Sequence, residues 1–83
     1  MERITNIQTL EDFTAEIKRH FKLDWDNLSE KEVDDYFNTD EVKQEIEERF
    51  NSGKRRLEAG EITQNVFDIG CTSSVANCLI YMY

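Results

Sequence analysis

An all-α single domain of four or five short helices is what this sequence predicts, and three observations carry that expectation. There is no proline in 83 residues, and the three glycines, Gly53, Gly60 and Gly70, all lie in the second half. Turn-rich all-β chains draw heavily on both residue types. Glu, Lys, Leu and Arg, which are strong helix formers, recur throughout, and charged residues make up 34% of the chain. Apolar residues return at three- and four-residue steps in several stretches, the period of a helix face. The length suits one domain, residues 1–83, with just enough chain to bury one core. The net charge of −8 and the mean hydropathy of −0.69 push towards disorder, but five Phe, three Tyr and one Trp spread along the chain are enough to seed a core.

Residues 1–8 read as a lead-in, with Arg3 to Ile7 briefly extended and anchored by Ile4 and Ile7. Thr9 is an N-cap with Asp12 three residues on. Leu10, Phe13, Ile17 and Phe21 then mark one face, which predicts a helix over 10–22. Its acids Glu11, Asp12 and Glu16 precede its bases Lys18, Arg19 and Lys22, the order the helix dipole favours. Leu23 to Leu28 is a loop carrying Trp25 between two aspartates. Ser29 and Glu32 form a capping box ahead of Val33, Tyr36 and Phe37, giving a helix over 30–37. The Asn38-Thr39-Asp40 cluster favours a break over a kinked rod. Val42, Ile46 and Phe50 predict a third helix over 40–51.

Gly53 is placed to end that helix, or residues 54–58 extend it. Gly60 is then the better C′ residue, because Arg55 and Arg56 precede it. Thr63 caps a short helix with Val66, Phe67 and Ile69 as its apolar side, and Gly70 is expected to break it. Thr72 or Ser73 caps the final segment, 74–83. That segment is dense in apolar residues and fits a helix, with a buried C-terminal strand and an α+β fold as the alternative.

The charge is confined to one stretch. Residues 24–48 hold eleven acids against Lys31 and Lys43, a net of −9, while the remainder nets +1. With Val33, Tyr36, Phe37, Val42, Ile46 and Phe50 taken as core, Glu30, Asp34, Glu41, Glu45 and Glu48 fall on outward faces at helical spacings. Like charges three and four residues apart repel by a few tenths of a kcal/mol each. Within the block only Lys43 is placed to relieve this, by pairing with Glu47. A face selected for stability alone would intersperse lysines.

Several constellations are excluded. Asp24 to Asp35 opens like a calcium loop but lacks a ligand at Leu28, a glycine at Ser29 and a glutamate at Asp35. Cys71, Cys78 and His20 lack zinc-ligand spacing, and His20 flanks the core stripe of the first helix. Cys71, near an expected helix start, is a thiol whose pKa a helix N-terminus would lower, yet it has no partner set for catalysis. On one helix the two cysteines lie ~10 Å apart, too far for a bridge, and read as reduced thiols. No cofactor site, catalytic group or metal site is expected. The N-terminus has no apolar leader segment, and no run approaches the ~20 apolar residues of a membrane span. The expected setting is the cytoplasm.

Residues 66–79 resemble a helix-turn-helix core. Gly70 would be its turn, and Thr72, Ser73, Ser74 and Asn77 would face the groove. The resemblance implies a DNA-binding regulator built on 63–83, but no Arg or Lys follows Arg56 to meet phosphate. The acidic block points elsewhere, to a protein-binding module that is not an enzyme. Acids every three or four residues on a helix repeat about every 5–6 Å, near the spacing of phosphates along a strand. Such a face can occupy a basic nucleic-acid-binding surface of a partner protein, with no direct nucleic-acid contact of its own. The expected contacts are Asp34, Asp35, Glu41, Glu45 and Glu48, with Trp25 as an aromatic anchor. In size and charge the chain is similar to small phage-borne inhibitors of host defence nucleases, anti-CRISPR proteins among them, a likeness of composition alone. The apolar tail 79–83 packs on its own domain, forms a homodimer seam, or docks an accessory subunit on a larger complex.

Overall fold

The helices follow from their caps. The computed structural model describes residues 3–83, so Met1 and Glu2 of the expected lead-in lie outside the described residues. Helix α1 runs Leu10–Asp24 from the Thr9 cap, whose hydroxyl accepts the Asp12 N–H at 3.1 Å. Helix α2 runs Glu30–Phe37, and here the capping box closes both ways between Ser29 and Glu32. Asn38 and Thr39 separate it from α3, Asp40–Glu58. Thr39 turns its hydroxyl back to the Tyr36 carbonyl instead of capping α3. The described residues contain helices and no strand.

Helix α3 passes through Gly53. A Cβ there would lie 2.7 Å from Cε1 of Phe67, so the glycine is a point of close approach and not a stop. The end comes at Gly60, at φ +75°. Gly60 donates to the Leu57 carbonyl at 3.1 Å and Glu61 to Arg56 at 2.9 Å, the two bonds of a Schellman cap.

The C-terminal quarter departs from expectation. Thr63 does accept the Val66 N–H at 3.2 Å, but Gly70 breaks nothing. Val66–Cys71 forms a π-helical turn that runs directly into α4, Thr72–Met82. A π turn widens the helix and upsets the regular carbonyl pairing. The Thr72 hydroxyl meets that need, donating to the Asp68 carbonyl at 2.6 Å with the Ile69 carbonyl at 3.2 Å. Thr72 is therefore a buried residue within the helix and not a cap. The glycine penalty is about 1 kcal/mol. Burying Phe67, Val75 and Leu79 contributes about 1.5–3 kcal/mol each and outweighs it.

The core sits between α1 and α4, with α2 and α3 flanking. Phe13, Ile17 and Phe21 are fully buried, whereas Leu10, at the start of the same stripe, is 37% exposed. Phe13 stands at the centre, 5.2 Å from the Phe50 ring and 5.3 Å from the Phe67 ring.

Two buried carboxylates hold the N-terminal segment. Asp68 accepts the N–H groups of Asn6 at 2.6 Å and Ile7 at 2.9 Å, and the Gln64 amide at 2.8 Å. Asn6 has φ +55°, a conformation asparagine tolerates, and two successive N–H groups converge on one acid there. Glu16 accepts both arms of Arg19 at 2.8 and 2.9 Å and the Ile4 N–H at 3.2 Å. His20 Nε2 lies 3.3 Å from the same carboxylate, at the edge of the core. Burial alone would raise the Glu16 carboxyl. The hydrogen bonds from Arg19 and Ile4, with the charges of Arg19 and His20, outweigh it and hold the group below its ordinary 4.5.

Candidate interaction surfaces

Ten of the eleven acids in 24–48 are exposed, and Glu45 is half-buried. They do not form a single face. Asp34 pairs with Lys18 across the α1–α2 seam, and Glu30 lies 3.5 Å from Lys22 there. The Lys18 hydrogen bond, aided by the charges of Lys18 and Lys22, holds the Asp34 carboxyl below the usual range. Asp35 belongs to the opposite flank of α2, where it lines a shallow cleft with Glu32, Tyr36, Thr39 and Tyr83. Burial, with smaller contributions from the charges of Cys78, Glu41 and Tyr83, raises the Tyr36 hydroxyl. Glu45 pairs with Arg49 at 2.9 Å, and Glu48 accepts from Gln44 at 3.3 Å.

Repulsion in the block is thus relieved by Lys18, Lys22, Lys31 and Arg49. Lys43, the expected partner of Glu47, forms no ion pair among the described residues. The Lys31–Asp35 and Glu45–Arg49 pairs were open to a reading of four-residue spacings. The two α1 lysines were not, because only packing brings α1 beside α2.

Trp25 is half-buried. Its ring stacks on Phe21 at 6.4 Å and meets Tyr83 at 5.5 Å, so it closes one end of the core beside the acidic cleft. Tyr36 donates to the Leu79 carbonyl at 2.8 Å and packs its ring edge-on to Tyr83 at 4.8 Å. The tail therefore packs on its own domain through Leu79 and Tyr83. Tyr81, 92% exposed, and Met82 project outward.

Two concavities had no sequence signal. A groove of about 700 Å³ lies between α1 and α3, floored by Ala15, Phe37 and Ile46 and edged by Lys18 and Lys43. A smaller cleft lies between α3 and the π-helical turn. The turn that the helix-turn-helix resemblance placed at Gly70 is continuous helix, and Thr72 is buried with its hydroxyl occupied. Burial raises the Cys71 thiol against the opposing charge of Arg56, the reverse of the expected lowering, and Cys71 lies within continuous helix and not at a free N-terminus. Both cysteines are free. Among the described residues no group of three or more His, Cys, Asp or Glu is placed to hold a metal, and no helix is long and apolar enough to cross a membrane. Comparison with family models, curated proteins and solved structures gives no match.

Proposed function

We propose that this chain is a small acidic protein-binding module of the cytoplasm. It occupies a basic, nucleic-acid-binding surface of a partner protein by presenting carboxylates where phosphates would lie. One observation carries the reading: a net charge of −9 within 25 residues, with all but one of its acids exposed. The action is occupancy and not catalysis, as in an inhibitor of a phage-type or anti-CRISPR-like kind. Asp35, Glu41, Glu45 and Glu48 are the leading contacts on α2 and α3. Asp34 contributes only after giving up Lys18, and Trp25 supports the rim at Tyr83. Long-range attraction between opposite charges speeds encounter more than it deepens affinity, and salt screens it.

The test starts from a partner captured from the native host and uses duplex DNA as competitor. The triple variant Glu41→Gln, Glu45→Gln, Glu48→Gln is expected to keep its fold, with stability changed by no more than about 0.5 kcal/mol. Its association with the partner is expected to slow about tenfold at low salt and to lose most of its salt dependence. DNA should displace the wild-type protein from the partner. An unchanged on-rate and salt slope would overturn the reading. Sequence-specific binding of duplex DNA by the chain itself, below micromolar, would replace it with the regulator reading. The exposure of Tyr81 favours a second reading, docking through the tail, which Tyr81→Ala would weaken and the triple variant would not.

A further inference from the structure

The second half of α3 is basic where the first is acidic. Residues 49–56 hold Arg49, Lys54, Arg55 and Arg56 with no acid, a local +4 in a chain of net −8. Two of these line a cleft of about 290 Å³. Arg49, Ser52 and Arg56 face it from α3, and Gly70, Cys71 and Ser74 from the π-helical turn and α4. Arg49 and Arg56 stand seven residues apart, two helical turns, so they share a flank with Ser52 between them.

Their partners differ. Arg49 is held by Glu45 at 2.9 Å, and its Nη2 lies 3.9 Å from Cys78 Sγ. Arg56 has no ion pair among the described residues, and its charge reaches the Cys71 thiol on the opposite wall. The wall at Gly70 carries no side chain, and π turns of this kind recur at binding sites.

We propose that this cleft binds a phosphate group, either as inorganic phosphate or as the phosphate of a small monoester. A guanidinium presents paired donors that match two phosphate oxygens. Arg56 supplies that fork, Arg49 flanks the anion, and the hydroxyls of Ser52 and Ser74 donate from either side. The volume falls just below the roughly 300–1,000 Å³ of small-molecule sites, which favours a compact ligand over a nucleotide. The site lies at the opposite end of α3 from the acidic cleft and does not depend on the protein-binding reading.

The experiment is an amide-shift titration of the whole chain at low salt. Its arms are inorganic phosphate, glycerol 3-phosphate and acetate. Saturable shifts are expected at Ser52, Arg56, Gly70 and Ser74 with the two phosphates and not with acetate. Tighter binding of the ester would identify a monoester as the ligand, and equal or weaker binding the free ion. Arg56→Gln is expected to weaken phosphate about tenfold, while Arg55→Gln, an equal charge change outside the cleft, leaves it within twofold. Glu45→Gln releases Arg49 and is expected to tighten binding about two- to fivefold, the range of a surface ion pair. Ser74→Ala weakens binding and decides the matter if Arg56→Gln disturbs the fold. Non-saturating shifts, equal response to acetate, or equal loss in Arg55→Gln and Arg56→Gln would overturn the proposal.

Discussion

The two ends of α3 rest on the same core and present opposite chemistry. The N-terminal end carries Asp40, Glu41 and Glu45, and Thr39 just before it lines the cleft of Tyr36 and Tyr83. The C-terminal end carries Arg55 and Arg56 beside the π-helical turn. Part of this asymmetry has a local cause, since acids in the first turn and bases in the last complement the helix dipole by about 0.3–1 kcal/mol each. That effect fades beyond one turn. It accounts for Asp40, Glu41, Arg55 and Arg56, and leaves Glu45, Glu47, Glu48 and Arg49 in mid-helix unexplained. Of these, Glu45 and Glu48 belong to the proposed acidic contacts and Arg49 to the proposed anion cleft, with the Glu45–Arg49 pair at the junction of the two surfaces.

Phe13→Ala tests how far the two ends depend on their shared core. Phe13 touches both Phe50 of α3 and Phe67 of the π-helical turn, so its loss is expected to cost about 3–5 kcal/mol in denaturant unfolding. Amide protection should fall together at both ends of α3. Loss confined to one end would show two independently stable halves.

Acid acts on the carboxylates whose ionised form the fold holds. In the 24–48 block Asp34, paired with Lys18, lies below its usual range, so its contribution is lost as pH falls. Buried Glu16 acts with the same sign. Its folded pKa lies below the ordinary 4.5, so its stabilisation is complete above that value and is lost as pH falls through the lower folded one. Glu16→Gln is expected to cost about 1–3 kcal/mol near neutrality and to flatten the loss of stability below pH 4.5. An acid profile identical to wild type would place the sensitivity elsewhere.

Gly53→Ala acts on the basic end alone. The added methyl meets the Phe67 ring at 2.7 and 3.0 Å, an overpacking of about 1–3 kcal/mol. The gain in helix propensity of about 1 kcal/mol offsets part of it. A net loss of about 1 kcal/mol is expected in thermal unfolding, with changed phosphate shifts in the adjoining cleft and unchanged shifts around Tyr36. A stabilised variant would mean that Phe67 has room to turn aside.

Local signals determined the fold class, the caps at Thr9 and Ser29, the helix over 30–37, the break at Asn38-Thr39 and the stop at Gly60. Each rests on a contest among near neighbours in the chain: a hydroxyl for a free N–H, a glycine for a left-handed turn, an apolar step of three or four. The concentration of acid is likewise a property of the sequence. Tertiary structure decided the passage of α3 through Gly53, where an aromatic ring needs the space a side chain would fill. It also decided the continuity of helix through Gly70, because burial of Phe67, Val75 and Leu79 exceeds the glycine penalty. The backbone partners of Asp68 lie about sixty residues away in the chain, and the ion-pair partners of Asp34 and Glu30 on another helix. No spacing rule reaches so far, because such pairs exist only once the core has brought their helices together.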